Sequence, residues 1–146
     1  MFDISPDHAI GIYAGLLALV GALVAIRLRP ARQSVPGTVL GASVLIAVSG
    51  AIHLGLITTH LNEPITAALF FMNGAGYLVL SQAFTWRWWR LASAALLSAT
   101  LLGYVVYIAF GFDSPDQVAI ATKMLELLAL GLVPVSYTHL TLPTRG

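Results

Sequence analysis

Residues 36–60 read PGTVLGASVLIAVSGAIHLGLITTH, and no aspartate, glutamate, lysine or arginine interrupts them. An α-helix rises about 1.5 Å per residue and the hydrocarbon core of a bilayer is about 30 Å thick, so roughly 20 apolar residues suffice to cross it. This run exceeds that length. Its small residues Ser43, Ala47, Ala51 and Gly55 recur every fourth position. That spacing lines them along one helix face, where a neighbouring backbone can approach closely although lipid supplies no hydrophobic drive to associate. The stretch reads as a transmembrane helix built to pack.

Composition extends that reading to the whole chain. Of 146 residues, 58% are hydrophobic and 9% charged, and the mean hydropathy is +0.88. Soluble domains carry about a quarter charged residues, so too little polar surface exists here to coat a water-soluble globule. The net charge of +1 points to no nucleic-acid partner, because the basic residues are split between short loops, and none is expected. The chain has no cysteine. Disulfides, thiolate metal sites, cysteine-ligated iron–sulfur clusters and thioether-attached haem are thereby excluded.

Five apolar runs predict an all-α integral membrane bundle of five transmembrane helices, at 6–27, 36–60, 64–84, 88–110 and 115–134. The leading MFDISPDH holds two aspartates and no basic residue, unlike the start of a cleaved secretory signal, so the first run is expected to remain as a span. SPDH at 5–8 and SPDQ at 114–117 each place a serine N-cap before a proline and an acidic residue in the first turn, and Asn62 stands before Glu63-Pro64 in the same role. In the first span Gly11 and Gly15 form a GxxxG pair. These ridges fit a compact bundle or a dimer equally well.

Charge sets the orientation. Arg27, Arg29 and Arg32 lie between spans one and two, and Arg87 and Arg90 between spans three and four. Asp3, Asp7, Glu63, Asp113 and Asp116 all fall at the other ends. The positive-inside rule places the N-terminus outside, and TWRWWR at 85–90 puts Trp86, Trp88 and Trp89 at the inner interface as an aromatic belt.

After Pro134 the composition becomes polar and threonine-rich. Val135 to Thr144, VSYTHLTLPT, resembles residue for residue one reading-frame translation of the adapter DNA used in transposase-based sequencing libraries. The resemblance implies that residues 1–134 form the transmembrane domain and that 135–146 are a non-native tail, which removes Tyr137 and His139 from any site.

Polar residues inside the spans carry the functional question. Counted along their helices, His53 lies about 10 Å below His60 and Asn73 about 13 Å below Pro64, while Tyr104 and Tyr107 lie about 9 and 5 Å below Phe110. Lys123 and Glu126 lie about 9 and 13 Å in from Gln117. An ionisable side chain at depth costs at least about 2.5 kcal/mol and therefore faces a bundle interior with partners. The expectation is an outward-facing polar pocket lined by His53, Asn73, Tyr104, Lys123 and Glu126. Ser49 shares the His53 face, Tyr77 follows Asn73 by one turn, and Thr100 precedes Tyr104 by one turn.

Lys123 with Glu126 reads either as a proton relay or counter-ion, or as a salt bridge that docks the fifth span. His53 reads as a ligand for haem b or copper, or as a hydrogen-bonding partner of a neighbouring helix. His8 and His60 are the depth-matched histidines on different spans. With Glu63 they form a weak Zn²⁺ or Cu²⁺ candidate at the outer rim, where helix capping explains them as well. No nucleophile elbow, phosphate-binding glycine loop or hydrolytic carboxylate pair is present.

In pattern, residues 1–134 resemble small four- or five-span bacterial membrane proteins that carry a histidine near the outer end of a span. The resemblance implies a bacterial cytoplasmic membrane location and transfers no activity and no functional residue. Two expectations follow. One is a non-enzymatic accessory or small-ligand-binding protein whose partners are the bilayer and either a second copy or a larger membrane complex. The other is a redox or metal-handling protein using His53, or His8 with His60.

Overall fold

The computed structural model describes residues 6–28, 35–111 and 116–133. Asp3, Arg29, Arg32, Asp113, the serine starts at Ser5 and Ser114, and everything after Val133 lie outside the described residues, as do the side chains of Asp7, His8 and Arg27. Among the described residues the chain is all-helical, in five α-helices. They are α1 (Pro6–Leu28), α2 (Gly37–Leu56), α3 (Pro64–Gln82), α4 (Trp89–Ala109) and α5 (Gln117–Leu132). A 3-10 turn at Ile57–His60 extends α2.

Three of these segments, rather than the five expected, are long and apolar enough to cross a membrane: Gly37–His60, α3 and α4. The apolar part of α1 described with its side chains is Ala9–Ala25, about 25 Å at 1.5 Å per residue. The 16 residues of α5 reach about 24 Å, short of a 30 Å core. It begins late because Asp116 is its N-cap, the carboxylate accepting from the Ala119 N–H at 2.6 Å. The cap of α3 also differs from expectation. Glu63 holds the N-cap position, no side chain bonds there, and Pro64 opens the helix.

Four helices form a ring, α2 against α3, α3 against α4, α4 against α5 and α5 against α2, and α1 packs on the flank of α2. Helix α2 is the hub, with buried residues from Val39 to Leu56, because it packs against α1, α3 and α5. Glycines set those contacts. A Cβ on Gly55 would lie 2.7 Å from the Gly11 Cα, so α1 and α2 cross backbone against backbone. A Cβ on Gly74 would lie 2.8 Å from the Gly50 carbonyl oxygen, which makes a second crossing, of α3 on α2. The GxxxG pair and the small-residue ridge are thus spent within one chain.

The two ends of the ring differ. At the basic end, which carries the α3–α4 turn, Val39, Ala42, Ile46, Leu80, Trp89, Leu97, Ala129 and Val133 make a dry core under Tyr77. Trp89 closes it, and its Nε1–H donates at 2.7 Å to the Leu80 carbonyl in the last turn of α3, an oxygen that also accepts from the Ala83 N–H at 3.1 Å. At the acidic end α2 and α5 stay buried as far as Leu56 and Val118, but α3 before Gly74 and α4 after Thr100 have no buried residue. The ring is sealed at one end and splayed at the other. Large apolar side chains such as Leu17, Ile65, Val79, Leu102 and Phe110 cover the outside, a surface suited to lipid rather than water.

Candidate functional site: a buried carboxylate between four helices

Each ring helix contributes two polar residues one turn apart: Ser49 and His53 from α2, Asn73 and Tyr77 from α3, Thr100 and Tyr104 from α4, Lys123 and Glu126 from α5. Spacings of three and four put both members on one face, and the ring turns all four faces inward.

Glu126 is the centre, 0% exposed. Its Oε1 accepts from the Ser49 hydroxyl at 2.9 Å, and its Oε2 accepts from the Lys123 ammonium at 2.9 Å. His53 Nε2 stands 3.6 Å from Oε1. The other ring nitrogen, Nδ1, is 2.8 Å from the Ser49 carbonyl oxygen. A carbonyl only accepts, so that contact assigns the hydrogen to Nδ1 and leaves Nε2 as the atom facing the carboxylate. Phe70 and Tyr77 hold the imidazole with ring centroids 5.5 and 5.7 Å away. A carboxylate in such surroundings is tolerable only because donors occupy both oxygens.

Above this floor Lys123 lies against the Tyr104 ring, its Nζ 5.3 Å from the centroid, a cation–π geometry. Thr100 donates to Asn73 Oδ1 at 3.4 Å and to the Leu96 carbonyl at 2.9 Å, bridging α3 and α4. The Tyr77 hydroxyl is fully buried, faces Thr100 and Glu126, and completes no hydrogen bond with either. Beyond the Asn73–Thr100 bridge Phe70, Tyr104 and Tyr107 are half-buried, towards the end where α3 and α4 bury no residue.

All five residues expected to share a layer are brought together: His53, Glu126, Lys123 and Tyr104 in direct succession, and Asn73 through Thr100. Ser49, Tyr77 and Thr100 also belong to the cluster, although the sequence reading left them out of the pocket. The signal was present, since each stands four residues before or after a named member. The layer is packed at its floor rather than hollow. A crevice of about 350 Å³ lies beside it, between α1, α2 and α5, walled by apolar residues such as Ile12, Leu16, Val48 and Ile52.

The rim candidates separate from this centre. His60 Nδ1 lies 3.1 Å from the Leu56 carbonyl oxygen and beside Thr59 Oγ1, with its ring 4.9 Å from Phe70. Thr58 and Thr59 donate to the Gly55 and Leu56 carbonyls, so this turn satisfies the end of α2. Glu63 is exposed, and the His8 side chain lies outside the described residues. Among the described residues no three histidine, aspartate or glutamate side chains gather as a metal shell.

No protein-family model matches the chain, and neither a curated protein nor a solved structure matches it.

Proposed function

We propose that the chain is a five-span protein of a bacterial cytoplasmic membrane, N-terminus outside, acting without catalysis as a small-ligand binder or accessory subunit through the polar cluster around Glu126. The observation that carries this reading is a carboxylate 0% exposed, held by Ser49 and Lys123 at the bottom of the splayed end of the ring. The dry core beneath supports one-sided access, and the arginine-bearing α3–α4 turn supports placing that core inward. Helices α1 and α5 complete the count of five, since a bilayer thins locally around a short span at modest cost.

The test is thermal unfolding of the full chain in nanodiscs against small anionic, cationic and neutral organic molecules. A compound that raises the midpoint in the wild type but not in Asn73→Ala or Tyr104→Ala supports ligand binding; a uniformly silent panel refutes it in favour of an accessory role.

One observation favours a second reading, with haem or copper on His53. The Nδ1 contact with the Ser49 carbonyl is the orientation that presents Nε2 to a metal. Purified protein with a Soret band or stoichiometric copper, lost in His53→Ala, supports it; a colourless, metal-free protein removes it.

A further inference from the structure

Resting only on the reading that α1 and α5 cross the membrane beside α2, we propose that the crevice between these three helices holds one acyl chain of a phospholipid. The lipid belongs to the leaflet at the acidic end, and its headgroup at the mouth carries an ammonium.

The crevice exists because two helices flank a third. Helix α1 is drawn onto α2 where a Cβ on Gly15 would lie 2.8 Å from Ile52 Cγ1, whereas α5 packs on α2 and α4. Ile12 and Leu19 of α1, Val48 and Ile52 of α2 and Ala121 of α5 wall the space between them, about 350 Å³. Leu16 and Ala121 at its edge are exposed, so it opens sideways from the bundle. Water has no partner there. Gln117 presents no polar atom to the space, and Thr122 directs its hydroxyl to the Val118 carbonyl at 2.7 Å. An apolar space stays dry, and left unfilled it forfeits dispersion contacts along all three walls. Beside a bilayer, hydrocarbon is what enters.

Length selects a chain over a compact molecule. Ser49 donates to Glu126, which sets α2 and α5 level at that point. Gln117 at the mouth stands nine residues before Glu126, and Val48 at the inner end one residue before Ser49. The crevice therefore runs about 15 Å along the helices. That is the depth of one leaflet in a hydrocarbon core about 30 Å thick.

Charge at the mouth selects the headgroup. Asp116 caps α5 next to Gln117, its carboxylate on the Ala119 N–H, and Glu63 is exposed at the same end of the bundle. Arg87 and Arg90 stand at the α3–α4 turn, the opposite end, and Lys123 is engaged with Glu126. An anionic headgroup meets repulsion at this mouth, and an ammonium meets carboxylates.

The test is native mass spectrometry of the full chain, released from micelles after exchange with phosphatidylethanolamine, its one-chain lyso form or phosphatidylglycerol. One phosphatidylethanolamine per chain is expected, and the lyso form is expected to be retained too. Phosphatidylglycerol should bind at least about threefold more weakly. Ala121→Phe and Ile12→Phe place a ring in the crevice and should lower phosphatidylethanolamine binding at least about tenfold. Leu128→Phe, on the outer surface, retains it, as does Asn73→Ala in the polar cluster. Binding unchanged in both crevice variants overturns the site. Loss of the lyso form overturns the single chain, and equal binding of phosphatidylglycerol overturns the headgroup. A wild type that is lipid-free, whether monomeric or paired with a second copy, overturns the whole proposal. Labelling of Leu128→Cys by an impermeant maleimide in sealed vesicles refutes the span on which it rests; an unlabelled cysteine in a protein that retains no lipid refutes the lipid alone.

Discussion

Replacing Lys123 by methionine keeps the stem and removes the charge, leaving the Glu126 carboxylate 0% exposed, with Ser49 at 2.9 Å and His53 beyond hydrogen-bond distance. Breaking a fully buried pair from one side costs about 3–5 kcal/mol. The 14% exposure of the Lys123 side chain admits some solvent screening, which lowers the expected cost to about 2–3 kcal/mol. Glu126→Gln keeps the shape and the Ser49 contact and frees an ammonium that can turn towards its 14% exposed side, a cost of about 1–2 kcal/mol. In the double variant neither charge remains. Its cost is expected at about 1–2 kcal/mol, so the two sites couple by about 2 kcal/mol. Denaturant-driven unfolding in mixed micelles, followed by the fluorescence of buried Trp89, measures all four corners of the cycle. Single costs that simply add, to within about 0.5 kcal/mol, would show that the pair contributes nothing to holding α5 in the ring.

Three more outcomes follow from the packing. Gly55→Ala sets a methyl 2.7 Å from the Gly11 Cα, where only backbone can give way, and is expected to cost at least about 2 kcal/mol. Gly103→Ala, with nothing within 4 Å, should be neutral or gain up to about 1 kcal/mol of helix propensity, and the same unfolding assay separates them. Trp89→Phe loses the bond to the Leu80 carbonyl and part of the basic-end core, about 2 kcal/mol, while Trp86→Phe and Trp88→Phe, both exposed, stay within about 0.5 kcal/mol. Leu61→Cys should react with an impermeant maleimide on intact cells and Trp86→Cys only after permeabilisation; the opposite pattern would invert the orientation.

Much of the site was legible because its spacings are local. Pairs such as His53 with Ser49, or Lys123 with Glu126, are set by the pitch of a single helix, and depth follows from counting residues to a helix end. The same arithmetic placed residues of four helices in one layer. Membership beyond the charged and amide groups was harder to see, since hydroxyls like Ser49 and Thr100 also occur in apolar helices bonded only to their own backbone, as Thr122 is to Val118.

The sequence by itself determined what depends on neighbours along the chain: apolar helices, small-residue ridges, the opposition of arginine and acidic ends, and the level of each polar group. Tertiary structure alone decided which ridge meets which, so that Gly55 faces Gly11 and Gly50 faces Gly74. It also decided that α1 lies on the flank rather than in the ring. It decided that Ser49 and Lys123 close on Glu126 above a dry core. The physical reason is rotation. Helices that are apolar all round carry little pattern saying which face turns inward, and that choice is made only when several of them pack together.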